Sequence, residues 1–443
     1  MIRSALLLVL LLLPGPHFSH AAAAPSSTRS KSPSWMASVD TRWGGHLKLR
    51  GTASHTSYGS LYGPVGAGTF VDGALEGRIT NRTFFHDDVY GEAHYEILIS
   101  GGDTQNAQTD LGRRFPGLSS ELGFLTPQTE DDRRFLDLTH PLRERDDHRI
   151  VHRLDRLFLA WTPGPVVIRV GRQAVTWGNG LLFNPMDLVN PFAPTDIERE
   201  YKMGDDMAAI RFPLAKAAEA QVIYVPRRSP ETGDATWDQS SLAAKVHLAP
   251  GPVELDLLAA CHYEDTVIGV GATGYAGGAA WRMDATWTFL DRDEERNGYL
   301  SLVANVDYSW VWGEKNLYGF LEFFYSGLGE SEPAEALQNG PLVDSLQRGE
   351  RFTLGRAYLA GHLQVEIHPL VNLLLTVIHR LNEPSGLIQP RAVWDVSRNV
   401  QLTLGASIPY GGSGTEFDGW PIPGTPWLTP APEQAFLWMA YYF

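Results

Sequence analysis

One cysteine, Cys261, stands in 443 residues, so no disulfide within the chain staples the fold and closure must come from hydrogen bonding. Lysine is scarce too: 6 of the 36 basic residues are Lys and the rest are Arg, a choice that suits fixed, paired sites better than a solvated cationic surface. The formal charge of −15 argues against nucleic acid as a partner. After residue 24 no apolar run reaches the roughly 20 residues that a membrane-spanning helix needs. Signatures of chemistry are missing as well. There is no Gly-x-Ser-x-Gly and no Cys-x-x-Cys, no His-x-x-His after residue 24, and Gly269-Val-Gly271 is not followed by a helix, so neither nucleotide binding nor an enzyme activity is expected. The acidic clusters Asp196/Glu198/Glu200/Asp205/Asp206 and Asp291/Asp293/Glu294/Glu295 lack the Asp-x-Asp-x-Asp-Gly spacing of a calcium loop and read as solvated loops. No metal and no cofactor is expected.

What is present begins at the N-terminus. Arg3 precedes the apolar run from Ala5 to Leu13, then Pro14-Gly15 and the small stretch Ala21–Ala24. That anatomy reads as a signal peptide over 1–24, followed by an N-terminal periplasmic segment over 25–42 and one barrel over 43–443. With 44 Gly and 29 Pro, strands and turns dominate the remainder.

Hydrophobicity alternates with period two in segment after segment, which predicts strands with one apolar and one polar face. Leu255, Leu257 and Ala259 oppose Glu254 and Asp256; Trp281, Met283, Ala285 and Trp287 oppose Arg282, Asp284 and Thr286. Trp161, Trp287, Trp310, Trp312 and Trp394 fall near strand ends, as interfacial girdles require. Connection lengths divide into two alternating classes. Thr162–Pro165, Leu214–Ala217, Ala249–Pro252, Gly277-Gly278, His368–Leu370 and Ser397-Arg398 are tight; 101–149, 175–204, 328–354 and 410–433 are long. The fold class is therefore all-β: a closed antiparallel transmembrane β-barrel of about 18 strands, about 16 being the alternative count, with short periplasmic turns and long extracellular loops.

In that register the inward face carries charges of both signs: Arg50, Glu76, Arg78, Glu92, Glu96, Arg156, Arg169, Arg211, Lys245, Glu254, Asp256, Arg282, Asp284, Asp307, Glu366 and Arg391. Facing hydrocarbon, each would cost roughly 2–4 kcal/mol at mid-bilayer, so they are expected to line a pore. A barrel of this width does not fill with its own wall side chains. The loop after residue 174 is rich in apolar residues between two Asn-Pro steps, Asn184-Pro185 and Asn190-Pro191. Such a loop needs something to pack on, and the barrel interior is the economical place. Trp177, Phe183, Asn184, Asp187, Asn190 and Phe192 are the expected constriction.

Two stretches carry a resemblance. Gly171-Arg172-Gln173, with Trp177-Gly178 and the Asn-Pro loop, resembles the porin-like and alginate-export-like outer-membrane families. The ending Gln434–Phe443, with Leu437, Met439, Tyr441 and Phe443 on one face, is similar to the terminal strand by which Gram-negative barrels are recognised for assembly. The resemblance implies the outer membrane of a Gram-negative bacterium, with lipid, lipopolysaccharide and the barrel-assembly machinery as partners, and by analogy with porins a homo-oligomer. The function expected is a channel for small polar or charged solutes. The alternatives are a barrel sheath, or an exporter component for a polysaccharide or electron-transfer partner, and after these a rim hydrolase using His55, His140 or His152. An exporter of an anionic polymer calls for a strongly basic lumen, and this lining is mixed.

Overall fold

The computed structural model describes residues 39–116, 131–196, 201–291, 296–422 and 424–443. The expected signal peptide lies outside them, as do Glu198, Glu200, Asp293, Glu294 and Glu295 of the acidic clusters. No helix among the described residues is long and apolar enough to cross a membrane, which leaves crossing by strands untouched.

The chain opens with β1 (Asp40–His55), β2 (Thr69–His86) and β3 (Val89–Gly102). β1 thus starts three residues before the expected barrel boundary at Trp43. After helix α1 (Asp103–Arg114) come β4 (Thr139–Glu144), β5 (His148–Trp161), β6 (Val167–Gln173), β7 (Asp205–Ala215) and β8 (Ala218–Arg228). Next are β9 (Ala235–Leu248), β10 (Val253–His262), β11 (Asp265–Ala276), β12 (Ala279–Phe289), β13 (Tyr299–Trp312) and β14 (Lys315–Ser326). Helices α2 (Pro333–Ala336) and α3 (Gly340–Gln347) precede β15 (Ala357–His368), β16 (Val371–Arg380), β17 (Ser385–Ser397), β18 (Val400–Tyr410) and β19 (Glu433–Tyr442). Every pairing between named strands is antiparallel, and β19 pairs with β1 to close the sheet.

The sheet holds 19 strands, yet the barrel wall is 18-stranded, because β3 pairs directly with β5 and β4 is an insertion against the upper half of β5. The expected loop 101–149 therefore contains a helix and a strand that alternation alone did not disclose. Turns at one end are short: Gly313 and Glu314, with φ 56 and 64, make the left-handed pair of a two-residue hairpin. The opposite end carries the long connections, 56–68, 103–147, 174–204, 327–356 and 411–432 among them.

Lipid-facing positions follow from the register. Leu47 and Leu49 of β1 stand opposite Tyr441 and Met439 of β19, and all are turned away from the interior that Lys48 and His46 enter, both buried. Leu159, Val170, Leu257, Val270, Leu321, Leu404 and Leu437 are likewise exposed on the outside, which in hydrocarbon is the favourable side. Trp43, Trp161, Trp312, Trp394 and Phe443 ring the short-turn end on that same face, where amphipathic rings favour the interface.

A lumen crossed by its own loop

The loop between β6 and β7 enters the barrel from a strand that ends early, at Gln173. Gly171 takes φ 122, and a Cβ there would stand 2.2 Å from the Leu157 carbonyl oxygen, so only glycine fits two residues before β6 ends. Gln173 Nε2 donates to the Met207 carbonyl at 3.3 Å, and β6 stops. With β6 and β7 ended at Gln173 and Asp205, the wall between the upper parts of β5 and β8 is open. Residues 131–144 fill it: β4 pairs with β5, Leu154 donates to the Leu138 carbonyl at 3.0 Å, and Arg134 bridges Arg227 of β8.

Arg172 joins this strap to the wall. In register it stands between Leu157 and Asp206, on the lipid-facing side, yet it is 1% exposed. Its guanidinium holds Asp206 at 2.9 Å and Asp131 at 2.7 Å and donates to the Leu136 carbonyl at 2.5 Å. A guanidinium fork can serve three acceptors in one plane, which a lysine cannot.

Inside, the loop travels round the wall. Trp177 Nε1 donates to Gln221 of β8 at 2.8 Å, and Asn179 reaches Asp284 of β12 through its backbone N–H at 2.6 Å and its side-chain amide at 2.7 Å. The backbone N–H groups of Leu181, Leu182 and Phe183 all donate to the Glu322 carboxylate of β14, at 2.6, 2.9 and 2.8 Å. Phe183 then stacks on Phe324, centroids 4.5 Å apart, and on Tyr358. Gln389 of β17 donates to the Thr195 carbonyl. On the return, the Tyr201 hydroxyl donates to Glu76 of β2 at 2.8 Å, with the Arg78 guanidinium 3.4 Å from its ring centroid. Lys202 pairs with Asp187, closing the loop on itself. Burial pushes the Asp187 carboxyl up and the Lys202 ammonium down, each opposed by the partner's charge.

Part of the inner wall is apolar to receive this loop. Val175, Trp177, Met186 and Val189 form one cluster with Met207, Ala209, Ile223, Val225, Ala243, Leu258, Ala260 and Val267. Those wall positions were missed by alternation, but a signal exists. Leu257-Leu258, Ala259-Ala260 and Val267-Ile268 are apolar doublets, places where both faces of the strand meet something dry.

The register puts every residue expected to line a pore on the inward side, but their surroundings differ. Arg78, Glu96 and Arg156 are buried with the bulge residue Asp155, which turns inward beside Arg156 and accepts from Arg78 at 2.9 Å. Asp256 and Asp284 are buried against Asn179. Arg50 and Glu76 approach to 3.8 Å, Glu92 pairs with Arg82 at 3.0 Å, Arg282 with Asp307, and Lys245 with Asp256 at 3.2 Å. Glu254 and Arg211 stay open to solvent, Arg211 being 3.8 Å from Glu219. Glu366 and Arg391 are half-buried, Glu366 accepting from Asn316 at 3.1 Å. Of the loop residues, Trp177, Phe183 and Asp187 are buried, Asn184 and Asn190 are half-buried, and Phe192 is 38% exposed. Asn190 sits at φ 47, a conformation asparagine tolerates.

Two hollows flank the loop. One, of about 840 Å³ including open solvent, lies on the long-loop side between Phe183, Asn184, Phe192, Asp265, Tyr299 and Arg351. The other, about 680 Å³ and likewise including open solvent, lies beneath Trp177 among Arg169, Arg211, Gln221, Lys245 and His247. Among the described residues no cluster of three or more His, Cys, Asp and Glu could hold a metal ion.

No protein-family model matches the chain, and no curated protein does. Solved structures do. OccAB1 of Acinetobacter baumannii is similar with a TM-score of 0.53 at 8% identity, over 94% of this chain and 99% of that one. OccAB4 of the same organism gives 0.51 at 8%, over 90% and 98%. OccK5 (OpdH) of Pseudomonas aeruginosa gives 0.51 at 8%, over 90% and 98%. At such identities the likeness is one of fold: nearly the whole chain follows the path of these barrels.

Proposed function

We propose that the protein is a porin-like channel in the outer membrane of a Gram-negative bacterium, admitting small polar or charged solutes through a mixed-charge lumen that the 174–204 loop narrows. The observation that carries this reading is the docked loop. It is fixed to the inner wall from β8 round to β2, and polar hollows remain on both of its sides. Charges of both signs on the inward face suit a small solute oriented by paired groups rather than a polyanion. That disfavours the polysaccharide exporter, and a loop crossing the lumen leaves little room for a sheathed partner protein.

The same reading makes the chain a transporter and not an enzyme. His140 and His152 lie with ring centroids 5.8 Å apart, and Asp137 is 3.8 Å from His140. Among the described residues no hydrogen bond ties either histidine to a serine, threonine or cysteine, as nucleophile activation requires. The test is electrical. Purified protein in planar bilayers is expected to give discrete conductance steps, and deletion of residues 178–200 to raise the step size several-fold. A barrel that stays silent both with the loop and without it would sink the channel reading.

A further inference from the structure

The loop tip is held by two carboxylates that no cation neutralises. Glu322 is 1% exposed and Asp284 is 0% exposed. Neither makes an ion pair among the described residues; each spends its oxygens on loop amides. One Glu322 oxygen accepts from Leu182 and Phe183, the other from Leu181 and from Asn305 Nδ2 at 3.1 Å. Asp284 accepts both the backbone and side-chain N–H of Asn179, whose amide also touches Asp256. Two cations of the neighbouring wall are engaged elsewhere: Lys245 with Asp256, and Arg282 with Asp307. Burying an unpaired carboxylate is costly unless several donors converge on it. Three successive backbone N–H groups aimed at one side chain on a facing strand supply that convergence.

We propose that Glu322 and Asp284 are positioning residues that latch residues 179–183 across the lumen, and that the latch sets the size of solute that passes. The inference rests on the channel reading above. Elsewhere the loop is held by apolar packing around Trp177 and Met186, which fixes depth but tolerates sliding, and by single hydrogen bonds to Gln221, Gln389 and Glu76; the convergent bonds to the Glu322 and Asp284 oxygens define the register of residues 179–183. An amide in place of either carboxylate sets an NH2 group against N–H donors, turning attraction into a donor–donor clash without changing side-chain size.

The experiment separates latch from channel. In a Cys261→Ser background, which removes the exposed native thiol, Leu182→Cys reports loop release through its rate of reaction with a charged thiol reagent. Conductance is read on the same preparations in planar bilayers. Glu322→Gln, and more so Glu322→Gln with Asp284→Asn, is expected to raise the labelling rate at least about tenfold and the conductance step at least about twofold. Glu322→Asp, which keeps the charge, is expected to fall between. Folding of each variant is checked by its heat-modifiable migration. Folded variants whose labelling and conductance both match the parent would overturn the latch. Faster labelling with no conductance in any variant would keep the latch and reject the channel.

Discussion

At the scale of single residues, the sequence motif Gly171-Arg172-Gln173 marks the end of β6, where the chain departs from the wall. Glycine permits the positive φ, glutamine caps the strand, and arginine binds the strap that fills the resulting gap. Arg172 is the most consequential of the three, because it is buried on the side of the sheet that faces lipid elsewhere. Replacing it with Met leaves Asp206 buried without its cation and Asp131 with Arg134 alone, at 2.6 Å, and stripping a buried carboxylate of its partner typically costs about 3–5 kcal/mol. Urea unfolding in detergent, followed by tryptophan emission, is expected to show a correspondingly lower midpoint for Arg172→Met. Arg172→Lys should lose less, since the charge remains while the fork to the Leu136 carbonyl is gone. An unchanged midpoint in both would mean that the strap is held by β4 pairing alone.

At the scale of elements, legibility followed periodicity. A strand with one apolar and one polar face alternates cleanly, so β12 could be drawn from sequence, and the tight turns with it. Elements whose surroundings are set by distant chain could not. The residues that form β4 alternate over too few positions to stand out within a long polar stretch, and α1 packs by Ala107 and Leu111 alone. The inner apolar patch was hidden for a related reason: Leu258 is buried under the loop while its neighbour Leu257 is 47% exposed, so two adjacent leucines serve opposite faces. That contrast is testable. Leu258→Ala should weaken loop docking by about 2–5 kcal/mol, the range for large-to-small core changes, and raise loop cleavage by chymotrypsin several-fold. Leu257→Ala should leave cleavage at the parental rate, and equal effects of the two would contradict the assigned faces.

At the scale of the whole molecule, the decisive regularity is parity. An even number of wall strands brings β19 back beside β1, and that number was readable because short and long connections must alternate for the loops to stay on one side of the membrane. The path of the loop through the lumen was only partly readable: its apolar content called for a dry surface, but the carboxylates that fix it came from strands more than a hundred residues away. Closure itself depends on a small space. Gly45 and Phe443 exchange two backbone hydrogen bonds, each 3.0 Å. A Cβ on Gly45 would fall 2.1 Å from the Arg78 carbonyl and 2.7 Å from the Phe443 ring. Both lie well inside contact distance, and backbone on the neighbouring strand cannot swing away as a side chain would. Gly45→Ala must therefore part β1 from β2 or displace the terminal ring, exposing unpaired backbone groups at the seam where hydrocarbon offers no substitute. Deleting Phe443 removes the same two bonds without adding a clash. Both changes are expected to cut the yield of heat-modifiable, folded barrel in outer-membrane fractions, Gly45→Ala more severely, while the molecules that do close conduct as the parent does. Parental yield for Gly45→Ala would show that the seam does not need the space glycine leaves.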